Sequence, residues 1–290
     1  MAEVRCVAEA RDQLGEGPLW DPSSGRLYWF DIKGRRLHWL APDGGPTGGW
    51  ALEVQASAAA VRAGGGLLLA TERGLEGFDL ENGALELLEP KEPDLVGFRS
   101  NDGKIDVNGR FWWSVMDEDQ GRRPGRVYCK SPGAPSQRVL DGIHIPNTIS
   151  CSPDGRTLYL ADSALQTLRA YPMDPASGRL GEPRAFADTR EGPGAPDGSA
   201  VDAEGFVWNA QWGAARIVRY APDGRIDRIV DMPVSQPSSC AFGGPELSTL
   251  YVTSARDDLS PDTLAREPLA GSLFAFEPGV RGLELPRFGG

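Results

Sequence analysis

Four residues able to bind a metal or move a proton recur in phase along this chain: Glu16, Asn101, Asn147 and Asp197. Each stands eight or nine positions before a turn glycine, at Gly25, Gly109, Gly155 and Gly205. The same step back from two weaker turns lands near Ser57 and Ser239. Carboxylates and amides are hard oxygen donors, and without histidine or thiolate they suit Ca²⁺, Mg²⁺ or Mn²⁺. Carboxylates also accept Zn²⁺ and Fe²⁺. One divalent ion, Ca²⁺ first among these, is therefore the expected cofactor. Two carboxylates confined together repel each other, and a divalent cation removes that penalty. The plain alternative is that each residue forms a turn or bulge beside its Gly or Pro neighbours. Turn formers have no reason to keep phase across repeats.

The elements that would position these residues are strands. A turn of the type Pro153-Asp-Gly155-Arg, or a near relative, precedes each of several short apolar runs: Leu27-Tyr-Trp-Phe30, Phe111-Trp-Trp113, Leu158-Tyr-Leu160 and Phe206-Val-Trp208. Weaker copies precede Leu67-Leu-Leu-Ala70 and Leu250-Tyr-Val-Thr253. With the turns at 25, 66, 109, 155, 205 and 248, the spacing is 41, 43, 46, 50 and 43 residues. A strand-rich repeat of about 40–50 residues is the mark of propeller blades. The expected fold is all-β, a six-bladed β-propeller with four-stranded blades around a central channel. A β-sandwich would not need self-similar units. The first strand of each blade lines the channel, so residues at a fixed offset before the turn form a ring near one mouth.

Glycine (37) and proline (24) are spread along the 290 residues, and no linker divides them, so one domain over 1–290 is expected. The net charge of -11 argues against nucleic acid or an anionic membrane as partner. Met1–Gln13 carries charges with no apolar stretch of a signal peptide, and no apolar run is long enough to span a membrane. Cys6, Cys129, Cys151 and Cys240 lack C-x-x-C spacing and read as reduced thiols, which points to the cytoplasm.

Other catalytic sets find little support. His38 falls in a third-strand segment and reads as a packing or surface residue. His144, three residues before Asn147, lies nearer the mouth but has no histidine partner. Ser57 and Ser239 have no adjacent base, and neither Gly-x-Ser-x-Gly nor a phosphate loop occurs.

The chain resembles the senescence-marker-protein, gluconolactonase and luciferin-regenerating-enzyme family over nearly its whole length. The resemblance is carried by Leu14-Gly-Glu16-Gly-Pro18, Arg99-Ser-Asn101-Asp-Gly-Lys104, Asn147 before Ser152-Pro-Asp-Gly155, and Pro196-Asp197-Gly198. Cys240-Ala-Phe-Gly-Gly244, Tyr251-Val-Thr-Ser-Ala-Arg256 and Ala270-Gly271-Ser-Leu-Phe274 extend it. It implies a six-bladed propeller that hydrolyses sugar lactones, with Glu16, Asn147 and Asp197 as metal ligands. Arg99 and Asn101 match substrate-contacting positions, and an acidic substrate contact falls on Glu118 or Asp119. Thr148 departs from the pattern, since many members carry glycine there, and is expected to narrow the site. Of the extra tryptophans, Trp112, Trp113 and Trp208 read as blade core, and Trp212 as core or as a wall of the pocket.

Lactone hydrolysis needs a polarised carbonyl, a nucleophile and a stabilised oxyanion. A divalent ion would supply polarisation and charge, and Asp197 would act as general base. Arg99 and Asn101 would hold the sugar hydroxyls, with Glu118 or Asp119 accepting others. Two readings compete: a promiscuous esterase or phosphotriesterase, which requires an apolar pocket, and a non-catalytic binding propeller.

Overall fold

The computed structural model describes every residue except 1, 2, 42–44, 46 and 290, and no candidate site residue is among these. The described strands form six four-stranded sheets arranged as a propeller. From the channel outward, the first five blades are consecutive in sequence. They run Gly15–Asp21, Arg26–Asp31, Arg36–Leu40, Thr47–Ala51; then Ala56–Val61, Leu67–Thr71, Gly74–Phe78, Leu85–Pro90; then Phe98–Ile105, Phe111–Asp117, Gly125–Lys130, Gln137–Ile143. The fourth and fifth are Pro146–Cys151, Thr157–Asp162, Thr167–Pro172, Arg184–Asp188 and Ala195–Val201, Val207–Trp212, Arg216–Tyr220, Ile226–Asp231.

The sixth blade departs from the repeat. Pro237–Gly243, Thr249–Ser254 and Leu273–Phe276 are completed by Arg5–Ala8 from the start of the chain. A four-residue outer strand carries neither a turn signature nor a long alternation, so the repeat gave no sign of it. This clasp joins both ends of the ring in one sheet, and each inner strand touches the inner strands of both neighbouring blades.

The turns explain the strength of the repeat. Gly25, Gly66, Gly109, Gly155 and Gly205 all have φ between +62° and +85°, a region that costs glycine least. In the sixth blade Leu247 holds the equivalent position with φ +52°, so there a residue other than glycine takes the left-handed conformation.

Tryptophan fixes blades from within. The indole N–H of Trp112 donates to Asp106 and that of Trp208 to Asp202, each at 2.9 Å, and the two carboxylates also accept from Arg110 and Arg219. Trp112 and Trp208 are wholly buried and Trp113 nearly so, as expected of blade core. Trp29 makes the same bond to Asp12, whose other oxygen lies 2.9 Å from His38 Nε2. His38 stacks on Trp29 and is a packing residue.

The far mouth of the channel, where the repeat turns lie, is crossed by the C-terminal segment. Gly282 N donates to Leu247 O and Phe288 N to Val61 O, both at 2.8 Å, so this segment reaches from blade six to blade two. Beneath it lies a cavity of about 400 Å³ whose walls include Leu19, Val61, Ile105, Val201 and Phe242.

Candidate active site

The ladder slips at the same level in all six inner strands: between Glu16 and Leu19, Ala56 and Ala58, Ser100 and Gly103, Asn147 and Ser150, Pro196 and Ser199, and Pro237 and Ser239. A bulge leaves residues out of the ladder and re-aims their side chains. Asn101 and Asp197 lie inside such slips, and Glu16 and Asn147 are the last paired residues before them. The shared bulge is the physical basis of the phase seen in sequence.

Gly17 follows Glu16 with φ +56°, and a Cβ there would lie 2.1 Å from the Ser57 carbonyl oxygen, so only glycine fits. The position after Asn147 is Thr148, with φ +60°. A β-branched residue in this region costs about 1–3 kcal/mol. Its hydroxyl donates to Asp197 O at 2.6 Å and accepts from Asn209 Nδ2 at 3.0 Å, which offsets the strain. Thr148 therefore ties blade four to blade five beneath the candidate ligands.

One hydrogen-bond chain orients the amides. Arg99 Nη1 donates to Asn101 Oδ1 (2.8 Å), Asn101 Nδ2 to Asn147 Oδ1 (3.0 Å), Asn147 Nδ2 to Ser163 Oγ (2.8 Å), and Ser163 Oγ to Pro196 O (2.6 Å). Arg99 also donates to its neighbour's carbonyl, and Asn101 to Pro146 O. The chain crosses from blade three to blade five and fixes which atom each amide presents.

Glu16 and Asp197 are buried, and among the described residues neither forms an ion pair, though the charge of Arg99 reaches both and that of Lys104 reaches Glu16. Burial, then repulsion from Asp102, pushes Glu16 up from 4.5 to about 8. Burial, then Glu16 and Asp102, raises Asp197 well above the ordinary carboxylate range. Among the described residues no group of three or more His, Cys, Asp or Glu side chains forms a ready metal cluster. The donor set is two carboxylates in no direct ion pair and an amide, and that chemistry fits one hard divalent cation.

Glu118 is exposed at the rim, accepts from Gln55 Nε2 at 2.8 Å, and is among the carboxylates whose field reaches the buried Arg99. Asp119 instead turns to solvent in a 2.9 Å ion pair with Arg122, so the structure does not bring it to Arg99. Ser57 Oγ donates to Ser100 Oγ, and His144 Nδ1 meets Gly121 O at 2.7 Å; neither is paired as a nucleophile and base. Trp212 is half-buried and packs on the cluster that contains Leu14 and Ala255. All four cysteines are free thiols.

Three charged residues were not singled out from the sequence. Asp102 is buried, with Oδ1 accepting from Gly103 N (2.8 Å) and Oδ2 from Ile149 N (2.7 Å). Lys104 reaches across the channel to the carbonyls of Ser199 and Cys240. Asp257, paired with Lys33 at 2.5 Å, also contributes to the field at Arg99. Asp102 and Lys104 flank the glycine of the motif already noted. Counting one residue per inner strand passes over them, because the bulge breaks strict alternation.

The family model described as the SMP-30/Gluconolactonase/LRE-like region matches residues 14–256. The chain belongs to this family. Among its relatives it is 37% identical to an L-arabinolactonase of Azospirillum brasilense, covering 99% of this chain and 96% of that protein. It is 32% identical to a 6-deoxy-6-sulfogluconolactonase of Pseudomonas putida, covering 99% of each. A crystal structure of a calcium-binding protein, regucalcin, from Agrobacterium tumefaciens superposes with a TM-score of 0.94 at 36% identity, covering 99% of this chain and 97% of that one. Among the described residues no helix is long and apolar enough to cross a membrane.

Proposed function

We propose that this family member hydrolyses sugar lactones to aldonic acids, with one divalent ion held by Glu16, Asn147 and Asp197. The observation that carries this reading is the pair of buried carboxylates that form no direct ion pair among the described residues and keep their protons well above the ordinary range, beside a fixed arginine–amide chain. The lactonases among the relatives and the calcium-binding neighbour support substrate class and ion respectively.

When bound, the ion supplies the charge that polarises the lactone carbonyl. Asp197, kept ionised in its company, takes a proton from the attacking water. The new C–O bond forms at the carbonyl carbon, the ring C–O bond breaks, and the departing ring oxygen takes the proton that Asp197 removed from the water, which restores the carboxylate. Arg99 has spent Nη1 on Ser100 and Asn101, and its other donors, which make no hydrogen bond among the described residues, would orient ring hydroxyls. Glu118 at the rim accepts hydrogen bonds from further hydroxyls, and the reading assigns no such role to Asp119. Hydrolysis of a panel of pentono- and hexonolactones by metal-stripped enzyme refilled with one ion at a time tests this reading. Turnover of at least one aldonolactone above its spontaneous hydrolysis is expected; none on any member of the panel, with any ion, would refute it.

A further inference from the structure

Lys104 is the least expected group in the channel. It rises from the inner strand of blade three and donates to two backbone carbonyls across the axis, Ser199 O of blade five and Cys240 O of blade six. Its charge acts on Glu16 and on Asp102, the third buried carboxylate. Asp102 itself is held by two backbone N–H groups and by no ion pair among the described residues.

The formal charges decide what such a lysine does. Inside the channel Glu16, Asp102 and Asp197 oppose Arg99 and Lys104, one unit negative when all are ionised; Glu118 is left out because it is exposed at the rim, where solvent screens it, and Asp257 because Lys33 neutralises it. A divalent ion would turn that to one unit positive. An uncharged lactone gains negative charge on its carbonyl oxygen during attack, and a net positive, water-poor site favours that change. Without Lys104 the ion-loaded site would be neutral. It would hold the ion more tightly and assist the reaction less.

We propose that Lys104 is a positioning residue that acts through charge, keeping the ion-loaded site net positive at the expense of ion affinity. This rests on the divalent-ion reading above. Its signature is a pair of opposite effects. A lysine that merely braced three blades would, when replaced, weaken ion binding and turnover together.

The experiment compares wild type with Lys104→Gln, Lys104→Met and Lys104→Arg, each stripped of metal. Calcium affinity is measured by titration calorimetry, and kcat and KM by hydrolysis of an aldonolactone that wild type accepts, at saturating calcium. Gln keeps donors for the two carbonyls, Met removes them, and Arg keeps the charge. The two neutral variants should bind calcium about tenfold or more tightly, from the loss of a nearby like charge. Their kcat should fall about 10- to 100-fold, with KM nearly unchanged. Arg should return both quantities towards wild type. Unchanged or weaker calcium binding in a folded Gln variant, or an unchanged kcat, overturns the role of Lys104 and leaves the lactonase reading intact. Wild type that binds calcium but cleaves no lactone defeats the lactonase reading, while the affinity comparison still decides the charge effect. Wild type that binds no divalent ion removes both.

Discussion

Along the same inner strands, residues before the bulge and residues after it face one channel with opposite chemistry. Glu16 gives way to Leu19, Asn147 to Cys151 and Asp197 to Val201. The near half holds carboxylates, amides and a guanidinium joined from blade three to blade five. The far half is a cavity of about 400 Å³ with mainly aliphatic walls, closed over by the C-terminal segment. Asp102 and Lys104 stand at the division and also line the far cavity. The difference shows how one repeat carries both jobs. After the slip the strands resume the alternation that packs a core, and before it they are freed from it. The apolar surface that an esterase-type pocket requires lies in the half away from Arg99 and Asn101.

The comparison breaks most visibly at Asp197. Asp197→Asn keeps an oxygen donor but no longer accepts a proton. Turnover should fall about 10²–10⁴-fold, the range for loss of a general base, while calorimetry still detects a bound ion. Near-normal turnover in an ion-loaded variant would reduce Asp197 to a ligand.

Arg99→Ala probes the same half one step from the carboxylates. A charge-assisted hydrogen bond is worth about 1.5–3 kcal/mol, so kcat/KM for a polyhydroxylated lactone should drop roughly 10- to 150-fold. A simple unsubstituted lactone of the same ring size should lose only the part that comes from the missing charge, and calcium should stay bound, more tightly than in wild type, as in the neutral Lys104 variants. Equal losses on both substrates would mean that Arg99 serves the fold or the chemistry rather than recognition.

Burial of Glu16 predicts a pH effect whose sign is fixed. Its folded value is about 8 against an ordinary 4.5, so the ion-free fold holds the proton more tightly than the unfolded chain. The resulting stability is present below about 4.5 and is lost as pH rises towards 8. Scanning calorimetry of chelated protein should therefore show Tm falling between pH 5 and 8, and the Tm gain on adding calcium should grow over the same range. A calcium effect independent of pH would contradict the assignment of Glu16.

At the other end of the scale, Phe242→Ala should separate stability from chemistry. Phe242 lines the far cavity and meets Trp208 edge-on, with centroids 6.4 Å apart. Truncation should cost about 3–5 kcal/mol of unfolding free energy, yet kcat per folded molecule should stay within about twofold. A large kcat loss in folded protein would mean that the two halves are coupled.

Much of this was legible in the sequence, and the reasons are local. The turn glycines need positive φ, so they mark the blades, and the ring residues keep step because the bulges do. Arg5–Ala8 was not legible because its partner strand lies at the far end of the chain. The same holds for the C-terminal crossing, whose bonds to Leu247 and Val61 join segments distant in sequence. Asp102 and Lys104 were in view as letters of a motif. Their part depends on which blades they reach, which only the closed ring determines. Asp119 was indistinguishable from Glu118 until the loop showed it bound to Arg122.

The central claim is that the near half of the channel works through one ion held by Glu16, Asn147 and Asp197. Its most direct test is a titration of metal-stripped protein with calcium, following bound ion and lactone turnover in the same samples. The account predicts no enzymatic turnover at the start and a linear return that saturates at one ion per chain. Glu16→Gln paired with Asp197→Asn should abolish both binding and turnover. Full turnover by protein shown to be free of divalent ions would contradict it.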